Sequence, residues 1–139
     1  MIFVDEKHLS ARLACVASLV PAGVRVADIG SDHAYLPAAL VLDGKIDFAI
    51  AGEVVKGPYE NAVHEIKDHQ LEGKVIPRLA DGLAAIEPAD KVDTITIAGM
   101  GGSLIASILE KGKDKLTEIK RLVLQPNVGE SQLREWLMN

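Results

Sequence analysis

The segment Val26-Ala27-Asp28-Ile29-Gly30-Ser31-Asp32-His33-Ala34-Tyr35-Leu36-Pro37 sets an apolar run, a glycine turn and a helix start in direct succession. Proline is tolerated only in the first turn of a helix, so Pro37 puts the helix start near Ala34–Leu36. A strand, a tight glycine turn and a helix in this order form the nucleotide-facing corner of an open α/β sheet. The ligand suggested by this loop is an unusual one. A dinucleotide site needs Gly-x-Gly-x-x-Gly, so that backbone N–H groups can approach a pyrophosphate. Here Gly30 is followed by Asp32 and Tyr35 where the other two glycines would stand. A carboxylate at a helix entrance repels a pyrophosphate, which argues against NAD and FAD. Asp28 and Asp32 suit a cationic ligand instead, and S-adenosylmethionine carries a sulfonium and an ammonium but no phosphate. The plainer alternative is that Asp28 ends a strand and Asp32 caps a helix.

Outward from this corner, short apolar runs alternate with helical stretches. Leu9, Leu13, Val16 and Val20 recur at helical spacing and predict an opening helix that Pro21 and Gly23 end. Five strands are predicted: Val24–Asp28, Phe48–Glu53, Val75–Leu79, Thr94–Ala98 and Leu122–Gln125. Helices are predicted at Tyr35–Leu42, Pro58–His69, Leu104–Lys111 and Glu130–Leu137, with a shorter one at Leu83–Ile86. Strands that read as continuous apolar runs are covered on both faces, and strand–helix alternation implies parallel pairing. The expected fold is a doubly wound parallel α/β sheet of Rossmann-like class, with strand order 3-2-1-4-5. The final helical stretch has no cap and no strand after it, so the 139 residues are expected to be one domain cut before its last strands, with a naturally short domain as the alternative.

Composition narrows the class. Hydrophobic residues make up 48% and charged residues 25%, as in a soluble globular domain. The lone Cys15 rules out an internal disulfide and a three-cysteine iron–sulfur cluster, and with it radical use of S-adenosylmethionine. Cys15 is expected to be buried in the first helix. There is no membrane-length apolar run and no signal-peptide pattern, so a reducing cytoplasm is expected. His64 and His69 lie five apart and do not share a helix face, so no metal site is expected. The net charge of −5 does not advertise a polyanion binder.

Further candidates lie at the other strand ends. Glu53 closes the second strand 23 positions after Gly30, where an acid typically accepts ribose hydroxyls; a solvated strand end is the alternative. Asp81-Gly82 follows the third strand, offering an acceptor for an adenine amino group or an N-cap for the short helix. Gly99, Gly101 and Gly102 follow the fourth strand, with Ser103 as a candidate cap, and permit close backbone approach. Gly99 is assigned to the cofactor and Gly101 to the substrate. Asn127, at the tip of the fifth strand, suits a base edge, or with Glu130 a capping-box variant.

Three stretches together are more specific than a generic nucleotide loop: Asp28–Pro37, Thr96-Ile97-Ala98-Gly99-Met100-Gly101-Gly102 and Leu124-Gln125-Pro126-Asn127. On them, and from Leu9 to Leu137, the sequence resembles the bacterial TrmK family of tRNA methyltransferases, which modify N1 of adenine 22. The resemblance implies an S-adenosylmethionine-dependent enzyme acting on tRNA. It puts Gly30, Glu53, Asp81 and Gly82 at cofactor positions, and Asp32 at the carboxylate near the target base. One departure is Ala80, where the family has glycine. Another is length, since the family carries further strands and a helical C-terminal domain that assists tRNA binding. A methyltransferase for a small molecule or protein, and a silent cofactor-binding module, remain alternatives. Oligomeric state is left open.

Overall fold

The structure is a computed structural model describing residues 10–138. In chain order its elements are α1 (Ala11–Ser18), β1 (Val26–Ile29), α2 (Tyr35–Leu42), β2 (Ala49–Glu53), α3 (Lys56–Asp68), β3 (Val75–Leu79), β4 (Thr94–Met100), α4 (Gly102–Lys111), β5 (Arg121–Pro126) and α5 (Glu130–Met138). Three 3₁₀ turns, Gly82–Ala85, Pro88–Asp90 and Lys113–Glu118, fill the connections around β4. All four pairings are parallel and the order is β3-β2-β1-β4-β5, as the apolar runs require.

Side chains alternate across this sheet. Val26, Ala49, Ala51, Val75 and Val123 pack with residues of α1, α2 and α3, such as Val16, Leu36, Leu40 and Ile66. Ala27, Ile29, Ile50, Ile95 and Ile97 pack on the opposite side with Leu83 and with Ile105, Leu109 and Leu133 of α4 and α5. Every residue of β1 and β2 is buried, the consequence of helices on both faces. Because the chain runs outward through β2 and β3 and then returns to β4, the order reverses between β1 and β4. Their carboxyl ends form a switch point, the place where open α/β sheets generally bind ligands.

Several boundaries differ from the sequence-based expectation, each for a local reason. Helix α1 is capped by the Ser10 side chain, which accepts from the Leu13 N–H at 3.2 Å. Leu9, expected in that helix, lies outside the described residues. Cys15 is exposed rather than buried, because α1 turns Val16 inward and Cys15 is its neighbour on the outer face. Helix α3 starts two residues before Pro58, which thereby stays in the first turn. Strand β4 continues past Ala98 to Met100 through an irregularity at Gly99, and α4 starts at Gly102. Ser103 is therefore not the cap. Gly101 is, and the Ser103 hydroxyl donates to Gln132 Oε1 at 2.7 Å. The expected helix at Leu83–Ile86 is the 3₁₀ turn Gly82–Ala85. Among the described residues no helix is long and apolar enough to cross a membrane.

Candidate functional site

The carboxyl ends of β1, β2, β4 and β5 converge on one edge of the sheet, and β1 sets the pattern. Asp28 stands in register between Ala51 of β2 and Thr96 of β4. Its side chain is buried, 4% exposed, on the α1/α2 side of the sheet. The Thr96 hydroxyl donates to Asp28 Oδ1 at 2.6 Å and the Ser31 hydroxyl to Oδ2 at 2.8 Å. Burial pushes the Asp28 carboxyl up to about 6; the two hydroxyls oppose that shift, and the Glu53 charge adds to it. Asp28, expected to face a cationic ligand, thus points into the protein and braces the turn that follows it.

That turn has an uncommon backbone. Gly30 adopts φ +70°, and the Gly30 and Ser31 N–H groups both donate to the Gly52 carbonyl, at 2.9 and 3.1 Å. The Met100 methyl lies over Gly30, where a Cβ would stand 2.2 Å from it. Asp32, His33 and Ala34 then follow at φ 45°, 50° and 56°, three consecutive L-residues in the left-handed region. Each such residue costs about 1–2 kcal/mol, so the turn has to be held from outside. Glu53 supplies one hold, since its carboxylate accepts the Asp32 N–H. Asp32 is not a helix cap: Ala34 takes that position without a side-chain bond. The Asp32 carboxylate projects outward, 71% exposed, with His33 Nε2 at 3.6 Å. His33 in turn stacks on Tyr35 with ring centroids 4.9 Å apart.

Glu53 is no solvated strand end, being only 7% exposed. Desolvation raises its pKa, the Asp32 N–H bond opposes this, and the Asp32 charge reinforces it. The Ala80 N–H donates to the Glu53 carbonyl at 2.8 Å, which brings the loop after β3 alongside. In that loop Asp81 is exposed and makes no capping bond, while Gly82 has φ +55° and lies against Ile108.

At the end of β4 and the start of α4, three glycines meet three different demands. Gly99 has φ +85°, its N–H donates to Gln125 Oε1 at 3.1 Å, and a Cβ there would meet the Arg12 guanidinium at 3.3 Å. Gly101 has an ordinary φ of −70°, and a Cβ there would make ordinary van der Waals contact with Val128 at 3.7 Å. Gly102 is packed so closely that a Cβ would lie 1.9 Å from the Gly129 carbonyl oxygen. Asn127 donates its amide to the Gly99 carbonyl at 2.7 Å, and its Oδ1 accepts from Arg12 at 3.5 Å. Its side chain is engaged with the β4 loop rather than with α5.

The edge therefore collects Gly30, Asp32, Glu53, Gly99, Gly101 and Asn127, with Asp81 and Gly82 on the adjoining loop. Asp28 lies beneath it. Sequence reasoning missed Ser31, Thr96, Gly52 and Arg12. Thr96 had a partial signal, one of two hydroxyls, with Thr94, in a buried strand of otherwise apolar residues. Among the described residues no Lys or Arg lies within 4 Å of the carboxylates of Asp32, Glu53 or Asp81. No cluster of metal-ligating side chains occurs among them either, and His69 pairs with Glu65 at 2.9 Å. Such an edge offers acceptors to hydroxyls, amines and positive charge, and it is poorly suited to a pyrophosphate.

Comparison with known proteins agrees with this architecture. The family model described as TrmK, tRNA (adenine(22)-N(1))-methyltransferase, matches residues 26–139. The tRNA (adenine(22)-N(1))-methyltransferase of Bacillus subtilis (strain 168) is 51% identical over 133 residues, which are 96% of this chain and 56% of that protein. A Streptococcus pneumoniae protein, described as a candidate tRNA (m1A22) methyltransferase and solved in complex with S-adenosyl-L-methionine, superposes with a TM-score of 0.90 at 58% identity, covering 92% of this chain and 60% of that one. M. capricolum TrmK, solved with the cofactor product S-adenosyl-homocysteine, gives 0.83 at 33% identity, with 92% and 56% covered. The chain thus spans a little over half the length of the relatives it matches.

Proposed function

Because the chain belongs to the TrmK family of tRNA (adenine(22)-N(1))-methyltransferases, we propose that it binds S-adenosylmethionine at the β1–β2 corner and directs methyl transfer to N1 of adenine 22 in tRNA. The observation that carries this reading is the acceptor-lined edge at the switch point, where Glu53 meets the Gly30 turn and, among the described residues, no Lys or Arg pairs with its carboxylate. The residues fit the cofactor's chemistry. Glu53 keeps carboxylate lone pairs for ribose hydroxyls, and Asp81 with Gly82 offers acceptors to an adenine amino group. Gly30 and Gly99 supply backbone that a ligand can approach closely. When bound, S-adenosylmethionine supplies an electrophilic methyl group on its sulfonium.

The chain's own residues have to orient the acceptor base. Adenine N1 carries a lone pair and needs no covalent enzyme intermediate, so alignment is the main requirement. N1 lies on the Watson–Crick edge, and a paired adenine must first leave its stack. Asp32, exposed beside the turn, is placed to take the exocyclic amine and to balance the positive charge that develops on the ring. Asn127 and Gly101 lie at the carboxyl-end edge of the same sheet and are assigned to the base. The tRNA is the proposed partner and the cytoplasm the proposed site of action. The test pairs calorimetric titration with S-adenosylhomocysteine against NADH, then methyl incorporation into tRNA carrying adenine or guanine at position 22. Binding of the homocysteine product alone, with incorporation only into the adenine-22 tRNA, is expected. NADH binding, or incorporation that ignores position 22, would overturn the reading.

A further inference from the structure

We propose that Thr96 and Ser31 are positioning residues for the cofactor-binding turn: through the buried Asp28 carboxylate they hold the turn that leads into the left-handed residues Asp32–Ala34 and tie it to β4. The proposal rests on reading that turn as the cofactor seat. Thr96 lies mid-strand on a sheet face whose neighbours are Val26, Ala49 and Ala51, and it is 0% exposed. Valine would fill the same space and favour the strand equally well, so the hydroxyl has no role in the strand as such. A hydroxyl buried there is costly unless bonded, and its partner is Asp28 at 2.6 Å. The other Asp28 oxygen takes the Ser31 hydroxyl at 2.8 Å. One carboxylate thus bridges the two sides of the switch point.

The next three residues are those with positive φ. Such backbone persists only where its surroundings over-determine it. The holds on it are the Gly52 carbonyl, the Glu53 carboxylate and the Asp28–Ser31 bond. The first two come from β2; among the described residues the third is the hydrogen-bonded link from the turn to β4, beside the packing of the Met100 methyl on Gly30. Both Asp28 bonds are donated to the carboxylate and strengthen with its charge, so the hold is firmest when Asp28 is ionised. The charged group facing Asp28 is Glu53 of β2. Strand β4 presents hydroxyls, α2 carries Tyr35 as its titratable group, and α1 carries Arg12 and Cys15 at exposed positions.

Thr96→Val, Thr96→Ser and the unaltered chain should be compared by amide hydrogen exchange and by S-adenosylhomocysteine titration. Loss of the Thr96 hydroxyl removes a bond that favours the ionised carboxylate, so Asp28 holds its proton to higher pH and releases Ser31. Exchange at Asp32–Ala34 should rise roughly tenfold in Thr96→Val, with β2 and β3 unaltered. Affinity should fall about tenfold near pH 6 but only about twofold near pH 8.5, the two limits of one lost charge-assisted bond. Thr96→Ser should restore both readouts. An unchanged exchange rate in the turn would overturn the proposal. So would a loss of affinity equal at every pH and accompanied by faster exchange across the whole sheet. If the unaltered chain fails to bind S-adenosylhomocysteine, the cofactor reading fails, while the exchange comparison still decides whether Thr96 positions the turn.

Discussion

Holding Asp28 in the interior opposes folding at neutral pH, since two hydroxyls replace bulk water only in part. A carboxyl raised from 3.8 to about 6 binds its proton more readily in the folded chain than in the unfolded one. Between those values stability therefore falls as pH rises, by about 3 kcal/mol from this group at 1.36 kcal/mol per unit. Asp28→Asn lacks that slope. Urea unfolding of both proteins from pH 4 to 7.5 should show the asparagine variant gaining on the parent as pH increases; parallel curves would mean that Asp28 titrates normally. Asp32 poses the opposite case. Its backbone N–H serves Glu53 while its carboxylate is largely exposed, with only the His33 ring beside it, so Asp32→Asn keeps the turn and removes the charge. We expect kcat and kcat/KM for tRNA methylation to drop together by about 10²-fold or more, with S-adenosylhomocysteine affinity nearly unchanged. Turnover at the parent rate would leave Asp32 no role beyond its backbone, and collapsed affinity would move it to the cofactor seat.

At the scale of elements, the junction of β4, α4 and α5 depends on which glycine is needed for what. Gly102 begins α4 under the Gly129 carbonyl, and its N–H donates to the Val128 carbonyl at 2.6 Å. Gly102→Ala must push α4 away from α5 and should cost about 1–3 kcal/mol or more, as overpacking does. Gly101→Ala meets only ordinary contact with Val128 and should stay within about 1 kcal/mol of the parent. Thermal unfolding of the two variants separates them; equal losses would mean that the close approach relaxes freely. Sequence alone treated these glycines as one cluster, because spacing carries no information on which residue a distant carbonyl will approach. Where a local rule is strict the element was legible: Pro37 fixed the phase of α2, and Tyr35–Leu42 is found as expected. Strand β3 also matches, bounded by Gly73 and Lys74 on one side and Asp81-Gly82 on the other. The left-handed course of Asp32–Ala34 was not legible. None of the three is glycine or asparagine, and the groups that hold them come from β2 and, through Asp28, from β4.

At the scale of the whole molecule, strand order was legible because alternation and parallel pairing leave few topologies, and the switch point then dictates which loops meet. The candidate site was legible at strand tips and illegible one layer below, where Thr96 and Ser31 make contacts that no spacing rule encodes. The proposed seat draws on the loops after β1, β2, β3 and β4, so a ligand bound there bridges both halves of the sheet. Such a ligand favours the folded state by RT ln(1 + [L]/Kd), about 2.7 kcal/mol at a hundredfold excess over Kd. For a domain of 139 residues this corresponds to a Tm increase of roughly 10 °C. S-adenosylhomocysteine should produce that increase, and NADH at the same concentration should not, because Asp32 and Glu53 oppose a pyrophosphate at the turn. Glu53→Ala should reduce the increase by the share that ribose hydrogen bonds contribute, about 1–3 kcal/mol of affinity, so that at fixed ligand concentration between about a third and nine-tenths of the shift is lost. An equal shift with NADH, or a full shift in the Glu53 variant, would place the ligand elsewhere on the sheet edge.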